Sequence, residues 1–497
     1  MMTCSLDGCY TSSGMYGETL KRKDEPRIVC ADVDGSVLAT DLLYESLLYA
    51  LKRDIWVLFL LPFWVFQGRA HLKQKLAERS SGLNVDLLPL NPSVVEYLQR
   101  SAEAGKQVVL ASASDATLVR QLAKRLDFVS DVIGSDGTHN LKGRDKAKAI
   151  NAAFGDAPWE YIGDSRADFE VWREAAHVVC VSAGPRFSRQ VTQRFSNVTV
   201  LQKDRCTLRV FLKALRVHQW LKNVLVLAPM ALAHRWFDMQ GWASALGAGL
   251  SFSLCASGVY LLNDLLDLEA DRNHPRKRKR PCAAGTFPLA TALALVPVLT
   301  VMAFAIALMV RVEFSVVLGL YLILTTAYSY RLKSLALVDI IMLAMLYTIR
   351  IVGGGVASGV HVSQWLLGLS MFLFFSLACV KRFSELLVLQ QRKEMRTWGR
   401  GYSVGDLEQV SSFGTSSGYI AVLVLALYVS SKEVVELYAN PSIIWMACPL
   451  LLYWISRIWL LARRGLVHDD PLVFALQDKV TYAVAVIGCI IFIGAKW

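Results

Sequence analysis

The chain has 497 residues, 54% of them apolar, and a formal net charge of +12. Its length leaves room for more than one domain, and the averages hide a split: residues 1–205 read as a soluble protein, residues 206–497 as long apolar runs separated by charged loops. The positive excess clusters at the ends of those runs, where it suits anionic headgroups or phosphorylated substrates, so no nucleic-acid partner is expected. The ten cysteines show no CxxC and no zinc-type Cys/His spacing, which leaves them as small buried residues.

Residues 1–25 are small, polar and without periodicity, as in a disordered segment, and they lack the apolar core of a signal peptide. The following domain is therefore expected in the cytoplasm. A short apolar strand, Arg27-Ile-Val-Cys-Ala31, ends in Asp32-Val-Asp-Gly-Ser36, which places two carboxylates at the carboxyl edge of a sheet. Between about 41 and 95 lies a helical insertion containing Ile55-Trp-Val-Leu-Phe-Leu-Leu-Pro-Phe-Trp-Val-Phe66, flanked by Lys52, Arg53 and Arg69. This stretch is too short to span a bilayer, and two readings stay open: the core of a cap domain, or an interfacial segment with its tryptophans at headgroup depth. A second strand, Gln107-Val-Val-Leu-Ala111, ends in Ser112. Lys142 precedes a helix, with Lys146 one turn on, and a third strand, Glu160-Tyr-Ile-Gly163, ends in Asp164-Ser-Arg-Ala-Asp168.

This ordered set resembles the haloacid dehalogenase (HAD) superfamily of phosphatases over about residues 26–190. The resemblance implies an α/β Rossmann-like fold with a helical cap at about 41–95. Asp32 would be the nucleophile, Asp34 the general acid/base, Ser112 the phosphate-binding hydroxyl and Lys142 the cation, with Lys146 its rival. Mg²⁺ would be held by Asp32, Asp34 and Asp164, with Asp168 close by. A carboxylate attacks a phosphate dianion only where a metal and a lysine offset the repulsion.

Residues 191–222 read as a basic amphipathic connector. Nine apolar runs follow, at about 223–237, 242–263, 287–310, 314–330, 335–358, 364–380, 415–431, 442–461 and 478–495. With the N-terminus inside, the cytosolic loops and adjoining helix ends carry seventeen Lys/Arg, against Arg235, Arg311 and Lys432 opposite. That bias predicts a multi-pass protein of the cytoplasmic (inner) membrane, with its C-terminus on the other side.

Where the second run meets water stands Asn263-Asp-Leu-Leu-Asp-Leu-Glu-Ala-Asp271. On one helix, Asn263, Asp264, Asp267 and Asp271 share an arc of roughly 100°, an arrangement that calls for a cation. Arg272, Arg276, Lys277, Arg278, Lys279 and Arg280 follow, and acid plus base in that order suits a Mg²⁺–pyrophosphate. Further charged groups recur at the same membrane depth: Lys222 before the first run, Tyr328, Lys333 and Asp339 around the fourth and fifth, Arg350 inside the fifth, and Lys381, Arg382 and Glu385 at the sixth. Ionisable groups in or beside spans are costly and are expected to face the bundle interior. A transporter would place them at the midplane instead.

The NDxxDxxxD stretch and the YSxxLK…D element at 328–339 resemble the UbiA superfamily of intramembrane prenyltransferases over about residues 208–497. That resemblance implies an all-α polytopic domain of about nine spans. The QWxKN motif at 219–223, the His274-Pro…Lys277…Arg280-Pro tail, Arg350 with Gly353-Gly-Gly355, and Lys381-Arg-x-x-Glu-Leu386 are most similar to its decaprenyl-phosphate phosphoribosyltransferase branch. Quinone-type members carry a second aspartate-rich motif, where this chain has only Asp339. What the branch implies is transfer of 5-phosphoribosyl from phosphoribosyl pyrophosphate to a polyprenyl phosphate, with Mg²⁺ on Asn263, Asp264, Asp267 and Asp271. Arg272, His274, Lys277 and Arg280 would face the pyrophosphate. Lys222, Tyr328, Lys333, Asp339, Arg350, Lys381, Arg382 and Glu385 would contact the substrates. The fused phosphatase would then remove the 5-phosphate of the lipid-linked product. The alternative is a prenyltransferase using prenyl pyrophosphate and an aromatic acceptor, with the HAD domain as phosphatase or regulatory module. Either arrangement is compatible with an oligomer.

Overall fold

The computed structural model describes residues 26–135, 141–392, 400–431, 434, 438–467, 471–475 and 477–496. The expected disordered stretch 1–25 and Lys432 lie outside these. The chain divides into two compact units: the described residues up to Ala214 together with Asp264–Ala292, and Leu215–Asn263 together with residues from Leu293 onward.

The first unit is built on a six-stranded parallel sheet. Its strands are β1 (Ile28–Ala31), β2 (Gln107–Asp115), β3 (Asp131–Ser135), β4 (Trp159–Gly163), β5 (His177–Ser182) and β6 (Val198–Gln202), in the order β3-β2-β1-β4-β5-β6. β1 pairs with both β2 and β4, and every residue of β1 is buried, as a strand covered on both faces requires. Strand order reverses beside β1, and such a switch point opens a crevice at the carboxyl ends. The insertion contributes helices Leu42–Arg53, Val57–Phe66 and Arg69–Arg79, the first capped by Asp41, whose carboxylate accepts from Leu43 N at 2.8 Å.

Two expected boundaries change. Residues 191–202 are not connector: the helix Pro185–Arg194 and the partly buried edge strand β6 complete the sheet. A five-residue edge strand among cations has too little apolar alternation to be told from a linker. Residues 264–292 join the first unit rather than standing as a plain loop of the membrane domain.

In the second unit and at its margins, eight helices among the described residues are long and apolar enough to cross a membrane. The protein is an integral membrane protein, with an α/β domain followed by a polytopic helical one. Eight of the nine apolar runs correspond to these helices. The run at 223–237 differs: Val217–Leu227 winds as a 3-10 helix and Ala228–Leu232 as a short α-helix. Its neighbour Val338–Ser358 explains the close fit, because a Cβ at Gly354 would overlap the Val226 carbonyl and one at Gly353 would lie 2.6 Å from the Phe252 ring. The glycine triplet is thus a seat for another backbone. Around it, Ile340, Tyr347, Phe374, Leu377, Ile455 and Trp459 belong to one buried core. Leu289–Val310 and Lys479–Lys496 leave most of their apolar surface exposed, as lipid-facing helices do.

Candidate functional site

The first unit holds a cleft of about 990 Å³ at the carboxyl end of the sheet. Asp32 follows β1 directly; its Oδ1 accepts from Lys146 Nζ at 2.8 Å and from Val33 N at 3.0 Å. Lys146 also donates to Tyr161 Oη at 2.9 Å, and that hydroxyl donates to Asp168 Oδ1 at 3.2 Å. Asp168 Oδ2 accepts from Ser165 N at 2.9 Å and from Ser165 Oγ at 2.8 Å. Asp164 Oδ2 accepts from Lys203 Nζ at 2.6 Å. Gly35 turns at φ +76°, and a side chain there would run into the Asp164 carboxylate, so the glycine of the DxDG motif lets the two loops meet.

Ligand oxygens of Asp32, Asp164 and Asp168 lie within 4.8 Å of one another, the only such trio of potential metal-ligating side chains among the described residues. Burial pushes Asp32 up to about 8 despite the Lys146 ammonium, and burial raises Asp164 despite Lys203. Three hard oxygen donors whose crowded negative charge is under-compensated fit a small divalent cation such as Mg²⁺. Asp34, expected among the metal ligands, turns elsewhere. Its Oδ2 accepts from Ser114 Oγ at 2.6 Å and Ser112 Oγ at 3.5 Å, and its Oδ1 accepts from Leu42 N at 2.8 Å.

Of the two rival lysines, Lys146 is buried on Asp32 while Lys142 sits exposed at the cleft rim. The reason is helical phase: Lys146 lies in the first turn of Arg144–Phe154, on the face packed against the sheet, whereas Lys142 precedes the Gly143 cap. Lys203, Lys73 and Ser114 also line or support the cleft, and motif reading missed all three. Lys73, from the insertion, donates to Ala113 O at 2.7 Å. Ala284, Gly285, Thr286, Pro288, Leu289 and Ala290 form another part of the wall. Gly285, at φ +74°, lies so close that a Cβ would be 2.8 Å from Ala39.

The acidic stretch does not run on one helix. Met239–Leu266 ends, Asp267 caps, and a short helix Leu268–Asn273 follows. Arg280 Nη1 donates to Asp264 Oδ1 at 3.1 Å and to Asp271 Oδ2 at 2.6 Å, so this guanidinium joins two of the carboxylates across the break. Asp267 is half-buried. Arg272 turns to Glu45 of the insertion at 2.6 and 3.0 Å. His274 Nδ1 accepts from Arg276 N and Lys277 N, and Lys277 is exposed.

In the second unit, the Arg382 guanidinium grips Asp339 through Nε and Nη2, the latter at 2.9 Å. Tyr328 Oη donates to Asp339 Oδ1 at 2.8 Å, and Glu385 Oε2 accepts from Arg382 Nη1 at 2.5 Å. A separate network holds Arg350: Nε donates to Asn223 Oδ1 at 2.7 Å and Nη2 to Tyr321 Oη at 2.9 Å. Lys222 is buried with Nζ 5.6 Å from the Tyr347 ring centre. Lys333 and Lys381 are half-buried, and Asn263 lies near the end of Met239–Leu266. Arg382 is thus ion-paired and Arg350 is held by neutral acceptors, and in both cases the buried charge is bonded as low-dielectric surroundings demand.

The UbiA prenyltransferase family matches residues 224–477, and the haloacid dehalogenase-like hydrolase family matches residues 29–173. Uncharacterized protein y4nM of Sinorhizobium fredii is 34% identical over 92% of this chain and 88% of its own length, so that likeness runs through both parts. Decaprenyl-phosphate phosphoribosyltransferase of Mycobacterium tuberculosis is 32% identical over 55% of this chain and 89% of its own. A solved structure of a UbiA homolog from Archaeoglobus fulgidus bound to GPP and Mg²⁺ covers 57% of this chain and 99% of that one, at 17% identity and a TM-score of 0.44.

Proposed function

Since this chain belongs to the UbiA prenyltransferase family and carries an N-terminal haloacid dehalogenase-like hydrolase domain, we propose that it makes a lipid-linked sugar in two steps. The membrane domain transfers 5-phosphoribosyl from phosphoribosyl pyrophosphate to a polyprenyl phosphate, releasing pyrophosphate. The soluble domain then hydrolyses the 5-phosphate. One observation supports the choice of donor: Asp339, standing where quinone-type members carry a second aspartate-rich motif, is engaged by Arg382 and Tyr328. The likeness to the mycobacterial phosphoribosyltransferase supports the same donor.

In the first step Asn263, Asp264, Asp267 and Asp271 would hold Mg²⁺. Arg280, already seated between Asp264 and Asp271, would move its charge onto the leaving pyrophosphate, with Lys277 and His274 nearby in the sequence. Lys222, Tyr328, Lys333 and Lys381 are the groups for the acceptor phosphate and the ribose 5-phosphate. The anomeric C–O bond to pyrophosphate breaks as the lipid phosphate oxygen bonds to that carbon, so charge stabilisation suffices and no protein nucleophile is needed.

In the second step Asp32 attacks the phosphorus, the bond to the ribose oxygen breaks, and Asp34, held by Ser114 and Leu42 N, gives that oxygen a proton. Water then cleaves the aspartyl phosphate to release inorganic phosphate. Lys146 neutralises Asp32 during approach, and Ser112 is the hydroxyl for the phosphate. Mg²⁺ bound by Asp32, Asp164 and Asp168 would supply charge neutralisation at the phosphate.

Orientation follows from charge and connectivity. We place residues up to 214 and 267–288 on one side of the membrane because they share one compact unit, and the Lys/Arg bias supports the cytosolic side. With Met239–Leu266 crossing once in that arrangement, residues 215–238 would cross as well. Eleven 3-10 residues and five α-helical ones reach about 30 Å at about 2.0 and 1.5 Å per residue, enough for the hydrocarbon core.

The test is purified protein with radiolabelled phosphoribosyl pyrophosphate and polyprenyl phosphate. Labelled lipid lacking the 5-phosphate is expected. An absence of labelled lipid overturns the first step; labelled lipid that keeps its 5-phosphate overturns only the second. Product from prenyl pyrophosphate and an aromatic acid would establish the alternative donor.

A further inference from the structure

The insertion holds a stretch that neither catalytic step uses. Helix Val57–Phe66 contains no charged residue and exposes Trp56, Leu58, Phe59, Phe63 and Phe66, each more than half accessible. Only Val57 and Trp64 of this helix are buried, so it is not the core of a cap. Contiguous exposure on this scale is what an interaction surface shows.

We propose that helix Val57–Phe66 lies in the bilayer interface as a second, monotopic membrane contact of the soluble domain, with anionic phospholipid as its partner. Charge favours lipid over protein as the occupant. Lys52 and Arg53 precede the helix, Arg69 and Lys75 follow it, and no acidic residue occurs between 55 and 77. Cations flanking an apolar, tryptophan-bearing segment suit an anionic headgroup layer. Length sets the mode: ten helical residues reach about 15 Å, half of a hydrocarbon core, so the helix lies in the interface and does not span it. Because the same chain is anchored in the membrane by its long helices, the surface is always at high local concentration and a weak contact is enough.

The next helix links this contact to the cleft. Arg79 stacks over Trp64 at 5.1 Å and pairs with Asp54 at 3.1 Å, and Lys73 on that helix reaches Ala113 at the cleft wall. Seating Val57–Phe66 in the interface would therefore hold the cleft at the lipid surface. The lipid contact itself stands independently of what the cleft hydrolyses.

The test uses the full chain in vesicles of phosphatidylethanolamine and phosphatidylglycerol containing tritiated phospholipid, with benzoylphenylalanine replacing Phe59 or Phe63, and Val200 as the control position. Val200 is exposed on the edge strand β6. Irradiation is expected to give at least about fivefold more lipid label at 59 and 63 than at 200, as burial of an apolar face in the interface requires. Label at 59 and 63 no higher than at 200, or capture of a second copy of the chain in its place, overturns the proposal. A protein bearing the probe at 59 should lose this labelling when Phe63→Asp and Phe66→Asp are added, with the transferase step unchanged; retained labelling overturns it too.

Discussion

Arg272 and Glu45 close a bidentate ion pair across 227 positions of sequence, with both side chains almost wholly withdrawn from water. Thr40 Oγ1 donates to the same carboxylate at 2.8 Å, and Arg272 Nε donates to Ala283 O at 3.1 Å. A cation that the sequence offers to pyrophosphate is thus committed to the insertion. It ties the acidic stretch to the wall of the phosphatase-like cleft.

Removing one partner of such a pair strands the other. Glu45→Ala should destabilise the first unit by about 3–5 kcal/mol, read as a lower thermal midpoint of the detergent-solubilised protein. Glu45→Leu combined with Arg272→Met should recover most of that loss. If the double variant is as unstable as Glu45→Ala, the pair is not what Arg272 is for.

The two lysines of the cleft separate cleanly. Lys146→Met should cut phosphate release at least about 100-fold, because Asp32 loses the cation that lets an anion approach it. Lys142→Met, at the exposed rim, should change it less than about fivefold. Steady-state phosphate release on one phosphorylated substrate ranks them, and the reverse ranking would return the role to Lys142.

Chelation tests the carboxylate trio. Removing Mg²⁺ should abolish phosphate release, and Asp168→Asn should raise the Mg²⁺ concentration needed for half activity by about 10–100-fold, as loss of a ligand or its support does. Direct Mg²⁺ titration by calorimetry gives the same shift without turnover.

Gly354→Ala should sharply reduce the folded fraction in size-exclusion profiles, since the added methyl meets the Val226 carbonyl, a rigid atom. Gly319→Ala is the control: its nearest neighbour is 4.0 Å away, and the profile should not change.

Much of the candidate site's geometry was legible because its motifs end strands. A buried apolar run closing on Asp32 or Asp164 places the carboxylate at a sheet edge, and that relation is local. Asp168 was visible for the same reason. Lys203 and Lys73 were not, because they reach the cleft from an edge strand's end and from an inserted helix, positions set by packing. The resemblance offered Asp34 as a metal ligand, yet Ser114 and Leu42 N draw its carboxylate aside. The acidic stretch fitted one helical arc, and the chain instead breaks at Asp267 and gathers Asp264 and Asp271 through Arg280.

By itself the sequence determined the membrane-spanning character and the acid-then-base order of residues 263–280, since these rest on run length and local spacing, and its strand-ending motifs carried the resemblance that implied the α/β domain. Only the tertiary structure decided which lysine meets Asp32, that Arg272 pairs with Glu45, that Asp339 belongs to Arg382, and that the first apolar run winds as a 3-10 segment against Gly354. Each of these is a contact between residues distant in the chain. Buried charge must find whichever partner the packing brings near, and no local pattern encodes that partner.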